Sequence, residues 1–205
     1  MPDRDRFFRS FDEAWSDFQT RERDLLDAFA LFPEQERLVL AWLLLPDPEL
    51  VARALELQRA FAHLDWITPL PAHFLHVSVA FPGGTAAEEE LARGRDACVG
   101  VAPFEVDLRR VGCFHDAVIV EVHGDGPHEL AARLDEDRDL STYLPHLTLG
   151  FFNDAHDPAP LREALVPLRD VDLGRRRFDA VTLCVVPASR TTILTPWRVA
   201  GRVEF

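Results

Sequence analysis

Two stretches of the chain alternate apolar and polar side chains with a period of two. In AHFLHVSVAFPGG, residues 72–84, Leu75, Val77, Val79 and Phe81 surround His76 and Ser78. In LPHLTLGFF, residues 144–152, Leu147, Leu149 and Phe151 surround His146 and Thr148. Side chains two apart on a strand point the same way. Each stretch is therefore predicted to be a short strand with a buried face and an accessible one, the latter carrying an imidazole and a hydroxyl at mid-strand. The two polar faces are expected to meet across one cleft.

Elsewhere the pattern shifts to a helical period. Phe7, Phe11, Trp15, Phe18, Leu25, Leu26 and Phe29 recur at roughly helical spacing over residues 6–30. That predicts one or two amphipathic helices packed on the body, with a substrate lid as the competing reading. RLVLAWLLL, residues 37–45, reads as a buried strand closed by Pro46 and Pro48. Pro48 then suits the first turn of a helix over 48–64, whose Leu50, Ala54, Leu57 and Phe61 line one side. Residues 66–71 read as a loop, and Thr85 with Glu88 as a capping box opening a helix over 86–99. FEVDLRRVGCF (104–114) and AVIVEVH (117–123) form a predicted hairpin turning near His115 and Asp116. Helices over 127–138 and 159–169 and strands over 177–189 and 195–205 complete the chain.

A helix and a pair of strands follow each His stretch, an approximate duplication that shows in pattern more than in letters. Nothing between the copies reads as a linker. The expectation is an α+β fold with two pseudo-equivalent lobes: an N-terminal helical extension over residues 1–35 and a single domain over 36–205.

Composition narrows the partners. A chain of 205 residues, 47% hydrophobic and 28% charged, can bury one substantial core. No apolar run approaches transmembrane length, and the charged opening MPDRDRFFRS lacks the apolar stretch of a signal peptide. A cytoplasmic protein without membrane association is expected. A net charge of −13 argues against salt-driven binding to long duplex nucleic acid, and leaves a small nucleotide or an RNA terminus as partner. Every basic residue is Arg. Cys98, Cys113 and Cys184 lack metal-type spacing and read as free buried thiols. The oligomeric state leaves no trace in the sequence.

One H-x-[ST] triplet says little. Two of the eight histidines that agree in strand, face and repeat position say more. Two imidazoles and two hydroxyls without a carboxylate triad suit metal-free phosphoester cleavage. One neutral His takes a proton from water or a ribose hydroxyl, and the other, protonated, delivers one to the leaving oxygen. Ser78 and Thr148 would hydrogen-bond the phosphoryl oxygens. Which of His76 and His146 is the base stays open. A zinc site is poorly served, because the two motifs lie far apart and bring no acidic or Cys partner; no metal and no cofactor is expected.

HVSVAFPG and PHLTLGFF resemble the paired H-x-[ST]-x motifs of the two-histidine (2H) phosphoesterase superfamily, above all its 2'-5' RNA ligase and RNA 2',3'-cyclic phosphodiesterase branch. Phe81 and Gly83 match the Phe-x-Gly that commonly continues the first motif, and Pro145 the Pro before the second. Element order agrees from about residue 36 to the end. The resemblance implies a bilobal fold with pseudo-twofold symmetry, its cleft lying between two antiparallel sheets with helices outside. It implies metal-independent action on 2',3'-cyclic phosphate or 2'-5' phosphodiester bonds. The alternatives are a non-catalytic nucleotide- or RNA-end-binding protein that keeps the fold, and a partner-binding protein whose function lies in the N-terminal helices.

Further candidates flank the motifs. Phe81, Tyr143, Phe151, Trp66 and Trp197 are placed to stack on a base, against the plainer reading of each as core. Arg190 and Arg198 are candidate phosphate clamps, against the plainer reading as solvated arginines. His73 falls on the opposite strand face from His76 and is not expected to be catalytic. Glu88 to Glu90 read as a solvated helix face, and Arg175 to Arg177 as a surface turn.

Overall fold

The computed structural model describes residues 8–82 and 86–205. The predicted capping residue Thr85 and motif residue Gly83, like Phe7, lie outside them. The apolar and alternating stretches become β1 (Arg37–Leu44), β2 (Ile67–Pro69), β3 (Val77–Ala80), β4 (Phe104–Cys113), β5 (Ala117–His123), β6 (His146–Phe152), β7 (Asp172–Phe178), β8 (Ala180–Ala188) and β9 (Arg198–Glu204). Neighbouring strands pair antiparallel in the order β7-β4-β5-β6-β3-β1-β8-β9, with β2 added to β6. The expected two sheets are therefore one nine-stranded sheet among the described residues. Val77 of β3 pairs with Leu147 of β6, which satisfies two strand edges that would otherwise be bare. Each half contributes four strands to that order, and its His strand is the innermost.

One face of the sheet is apolar and carries helices. The helices are α1 (Phe11–Thr20), which packs instead on the opposite, His-bearing face against His123 and Arg110, and α2 (Pro48–Leu57), α3 (Ala87–Ala97), α4 (Gly126–Leu134) and α5 (Ala159–Leu165). Val77, Val79, Leu147, Leu149, Val120 and Val122 are buried in one core cluster with Leu50, Ala54, Leu130, Leu134, Leu161 and Leu165 from the helices. Trp42 of β1 is fully buried beneath α3. Its indole nitrogen donates to Glu90 at 2.5 Å, and a Cβ on Gly94 would lie 2.2 Å from its ring, so α3 sits this close because residue 94 has no side chain. Glu90 is thus a half-buried partner of Trp42 and not part of a solvated face.

Several local expectations need correcting. Residues 67–69 are the strand β2, because β3 uses only the start of β6 and leaves its edge at Gly150 to Phe152 open. Arg175 to Arg177 lie in β7, where Arg175 pairs with Asp107 at 2.9 Å across the strands. Asp179 separates β7 from β8 where one strand was expected. The N-terminal region has one α-helix, α1, capped by the Ser10 hydroxyl on the Glu13 amide; an irregular segment follows, with a single 3-10 turn at Phe29–Leu31. Neither His is mid-strand. His76 immediately precedes β3 and His146 opens β6.

Candidate active site

The floor of the site is the junction of β3 and β6. Val77 and Leu147 face each other across an antiparallel pair, with both side chains in the core. Continuing that register sets His76 across from Thr148 and Ser78 across from His146, all four on the opposite face. Each imidazole thus lies beside its own motif's hydroxyl and across from the other's. Sitting at strand starts, both rings are held in the same way. His76 Nδ1 is 2.6 Å from the Phe74 carbonyl oxygen, and His146 Nδ1 is 2.7 Å from that of Leu144, each two residues upstream. A carbonyl only accepts, so Nδ1 carries the proton and the neutral ring presents a bare Nε2. The Ser78 hydroxyl donates to His76 Nε2 at 3.0 Å.

Burial dominates the electrostatics of both rings. It pulls His76 from 6.5 down to about 4, partly offset by the Phe74 carbonyl and helped by the nearby His146. Burial also lowers His146; the Leu144 carbonyl opposes this and the Arg138 guanidinium reinforces it. Both histidines are therefore neutral at neutral pH.

Above the floor is a cleft of about 720 Å³, a volume in the range of small-molecule sites. His76, Ser78, His146 and Thr148 line it together, as do Phe81, Tyr143, Phe151 and Trp197. Phe81 is 54% exposed at the rim. Trp197 meets His76 edge-on at 5.0 Å, and Phe151 packs among Phe29, Phe32 and Phe74. Tyr143 spends its hydroxyl on the Ser78 carbonyl oxygen at 2.8 Å, a brace between the two motifs; burial raises its pKa. Trp66 packs on Phe152 and His156 and does not line the cleft. Arg190 and Arg198 do not line it either: Arg190 pairs with Asp27 at 2.9 Å and Arg198 opens β9. His73 points to the Leu194 carbonyl, 3.2 Å away.

The arginines that do line the cleft are Arg37 and Arg138. Arg138 donates to the Val79 carbonyl at 2.5 Å, with its guanidinium 4.1 Å above the Tyr143 ring. Sequence reasoning passed over it as the end of a helix. Phe114, edge-on to His146 at 4.9 Å, was also missed, as were Phe8, Leu26 and Phe32 from the N-terminal segment. Their only signal was hydrophobicity, which core residues share. Among the described residues no group of three or more His, Cys, Asp or Glu is arranged to hold a metal ion, and no helix is long and apolar enough to cross a membrane.

A profile of the 2'-5' RNA ligase superfamily matches residues 46–189. Among solved structures, TT0787 of Thermus thermophilus superposes with a TM-score of 0.62 at 18% identity, covering 81% of this chain and 97% of that one. E. coli LigT in apo form gives 0.63 at 18% identity, covering 83% and 98%. E. coli LigT complexed with 3'-AMP gives 0.59 at 20%, covering 84% and 98%. At these identities the likeness is one of fold. No curated protein matches the sequence.

Proposed function

The chain belongs to the 2'-5' RNA ligase superfamily, and from that premise we propose that it is a metal-independent phosphoesterase of nucleotides or RNA ends, cleaving 2',3'-cyclic phosphate or 2'-5' phosphodiester bonds. The observation that carries this is the register about Val77 and Leu147, which brings two Nε2 atoms and two hydroxyls to one floor. A mixed α/β fold around a large antiparallel sheet, shared with a protein that is complexed with 3'-AMP, supports a nucleotide as ligand.

In this reading the phosphoryl group lies over the floor, its oxygens bonded by Ser78 and Thr148. One Nε2 takes a proton from the attacking water as its oxygen bonds to phosphorus. The other, protonated, gives its proton to the ribose oxygen as the P–O bond breaks. Nδ1 anchoring on Phe74 and Leu144 keeps each ring aimed while its charge changes. Arg138 adds a fixed cation for the growing phosphoryl charge. The two halves act as pseudo-equivalent lobes of one domain over residues 36–205, with 1–35 as an addition to it.

The test is hydrolysis of each nucleoside 2',3'-cyclic monophosphate in excess EDTA, by the wild type, His76→Ala and His146→Ala. Turnover that ignores EDTA and collapses in both variants supports the proposal. Activity lost to EDTA, or retained by either variant, overturns it.

A further inference from the structure

We propose that the N-terminal segment is a fixed wall of the cleft that restricts the site to mononucleotide-sized substrates. This rests on the reading of the cleft as a phosphoester site.

Glu121 pairs directly with His146 across β5 and β6, and Arg109 pairs with Glu121 across β4 and β5. Directly opposed residues share a face, so the polar face holding His146 continues outward over β5 and β4. A nucleic acid strand running on from a terminus held over the floor would use this surface on that side. It is covered. Phe11 of α1 packs on His123 at 5.5 Å, Trp15 lies under the Arg169 guanidinium at 4.5 Å, and Asp12 bonds Arg110 at 3.0 Å. Phe8 stacks 6.0 Å from Phe114, the ring that meets His146 edge-on.

The charge available to a second phosphate is spent as well. Arg169 pairs with the fully buried Glu121 at 2.5 Å, and Arg110 is shared between Glu121 and Asp12. Two cations that would otherwise face the strand are neutralised, and Arg37 and Arg138 remain the cleft's arginines. The net charge of −13 disfavours a longer polyanion further.

The wall does not swing. Leu25 N bonds His156 O at 2.8 Å, Leu26 N bonds His115 O at 2.7 Å, Ala28 N bonds Phe152 O at 2.8 Å, and Arg190 N bonds Pro33 O at 3.0 Å. Arg162 donates to the carbonyls of Phe18 and Arg21. Phe18, Leu25 and Ala28 are at most 2% exposed. A segment fixed through its backbone behaves as structure, not as a lid.

The test is calorimetric titration of the full chain with 3'-AMP and with a tetranucleotide ending in the same 3'-phosphate. The expectation is that the wild type binds the tetranucleotide at least about tenfold more weakly, although an unobstructed basic groove would bind the longer anion more tightly. In Phe11→Ala/Asp12→Ser/Trp15→Ala that ratio should fall toward one. Asp12→Ser alone, at a side chain 77% exposed, should lower it in part without threatening the fold. Equal wild-type affinities would overturn the size limit, and a ratio unmoved in both variants would show that α1 is not its cause. Binding of neither ligand would overturn both this inference and the phosphoester reading. Size-selective binding without turnover would end the catalytic reading alone.

Discussion

The two His motifs have the same backbone solution in different surroundings. At each, a ring at a strand start donates Nδ1–H to the carbonyl two residues back. Their walls differ. β3 adjoins β1, which offers the cleft Val39, Ala41 and Leu43, and His76 meets the Trp197 edge. β6 adjoins β5, where Glu121 faces the same way as His146 inside an arginine network beneath α1. The Ser78 hydroxyl is bonded to its own His, whereas among the described residues the Thr148 hydroxyl has no partner and His146 has the Arg138 cation nearby. A near-symmetric floor between unlike walls can handle phosphate from two sides and still hold the rest of a nucleotide in one orientation.

The largest effects should fall on what the motifs share. His76→Ala and His146→Ala are each expected to lower kcat/KM on cyclic nucleotides by about 10³-fold, with the double variant little worse than either, because the two act in one step. A loss confined to one His would break the equivalence. The hydroxyls should then expose the asymmetry. Thr148→Val removes a group free to meet phosphate, and is expected to cost about 10²-fold in kcat/KM. Ser78→Ala removes such a group and also frees His76 Nε2 from its hydrogen bond, so its loss should be smaller. Equal losses in steady-state assays would argue that both hydroxyls do the same work.

The pH profile sharpens the comparison by about one order of magnitude. Both imidazoles lie below 6.5, so both are neutral at neutral pH, while acid–base catalysis needs one protonated. The singly protonated cleft becomes commoner as pH falls, then is lost when the second ring titrates. Hence kcat/KM should rise below neutrality and peak on the acid side of 6.5. Trp197→Ala, which lets water reach His76, should move one limb upward. Arg138→Met, which removes the cation beside His146, should raise that ring's pKa and move the other. An alkaline optimum would sink the assignment of depressed values to both histidines.

What could be read in the sequence follows from what alternation encodes. A period of two identified both His strands and the face each pair shares, because one-residue slips would bury the polar set. It could not say that β3 and β6 pair with each other, since pairing partners lie 70 residues apart and leave no local mark. β2 was illegible for a related reason: three residues including Pro69 form a strand only because β6 has an open edge there. Arg138 looked like the end of a helix, because its role depends on α4 stopping at Leu134 and the chain turning back over β3. Arg190 and Arg198 sat near the right strands in sequence and still do not line the cleft, because the turn between β8 and β9 directs Arg190 to Asp27.

The smallest expected effect is at Tyr143, the brace between the motifs. Its hydroxyl reaches from the segment before β6 to the Ser78 carbonyl at 2.8 Å. Removing one such buried hydrogen bond costs about 1 kcal/mol, which in a chain of this size lowers Tm by about 2–4 °C. Tyr143→Phe keeps the ring beneath Arg138, so any further change reports on the brace alone. If the brace sets the position of Ser78, the variant should lose a few-fold in kcat while KM stays near wild type, because the hydroxyl then meets the transition state less well than the ground state. The double variant Ser78→Ala/Tyr143→Phe should then lose no more kcat in total than Ser78→Ala does alone. Additive losses would mean that the brace acts on the fold in general, and that the first motif holds its serine in place without help from the second.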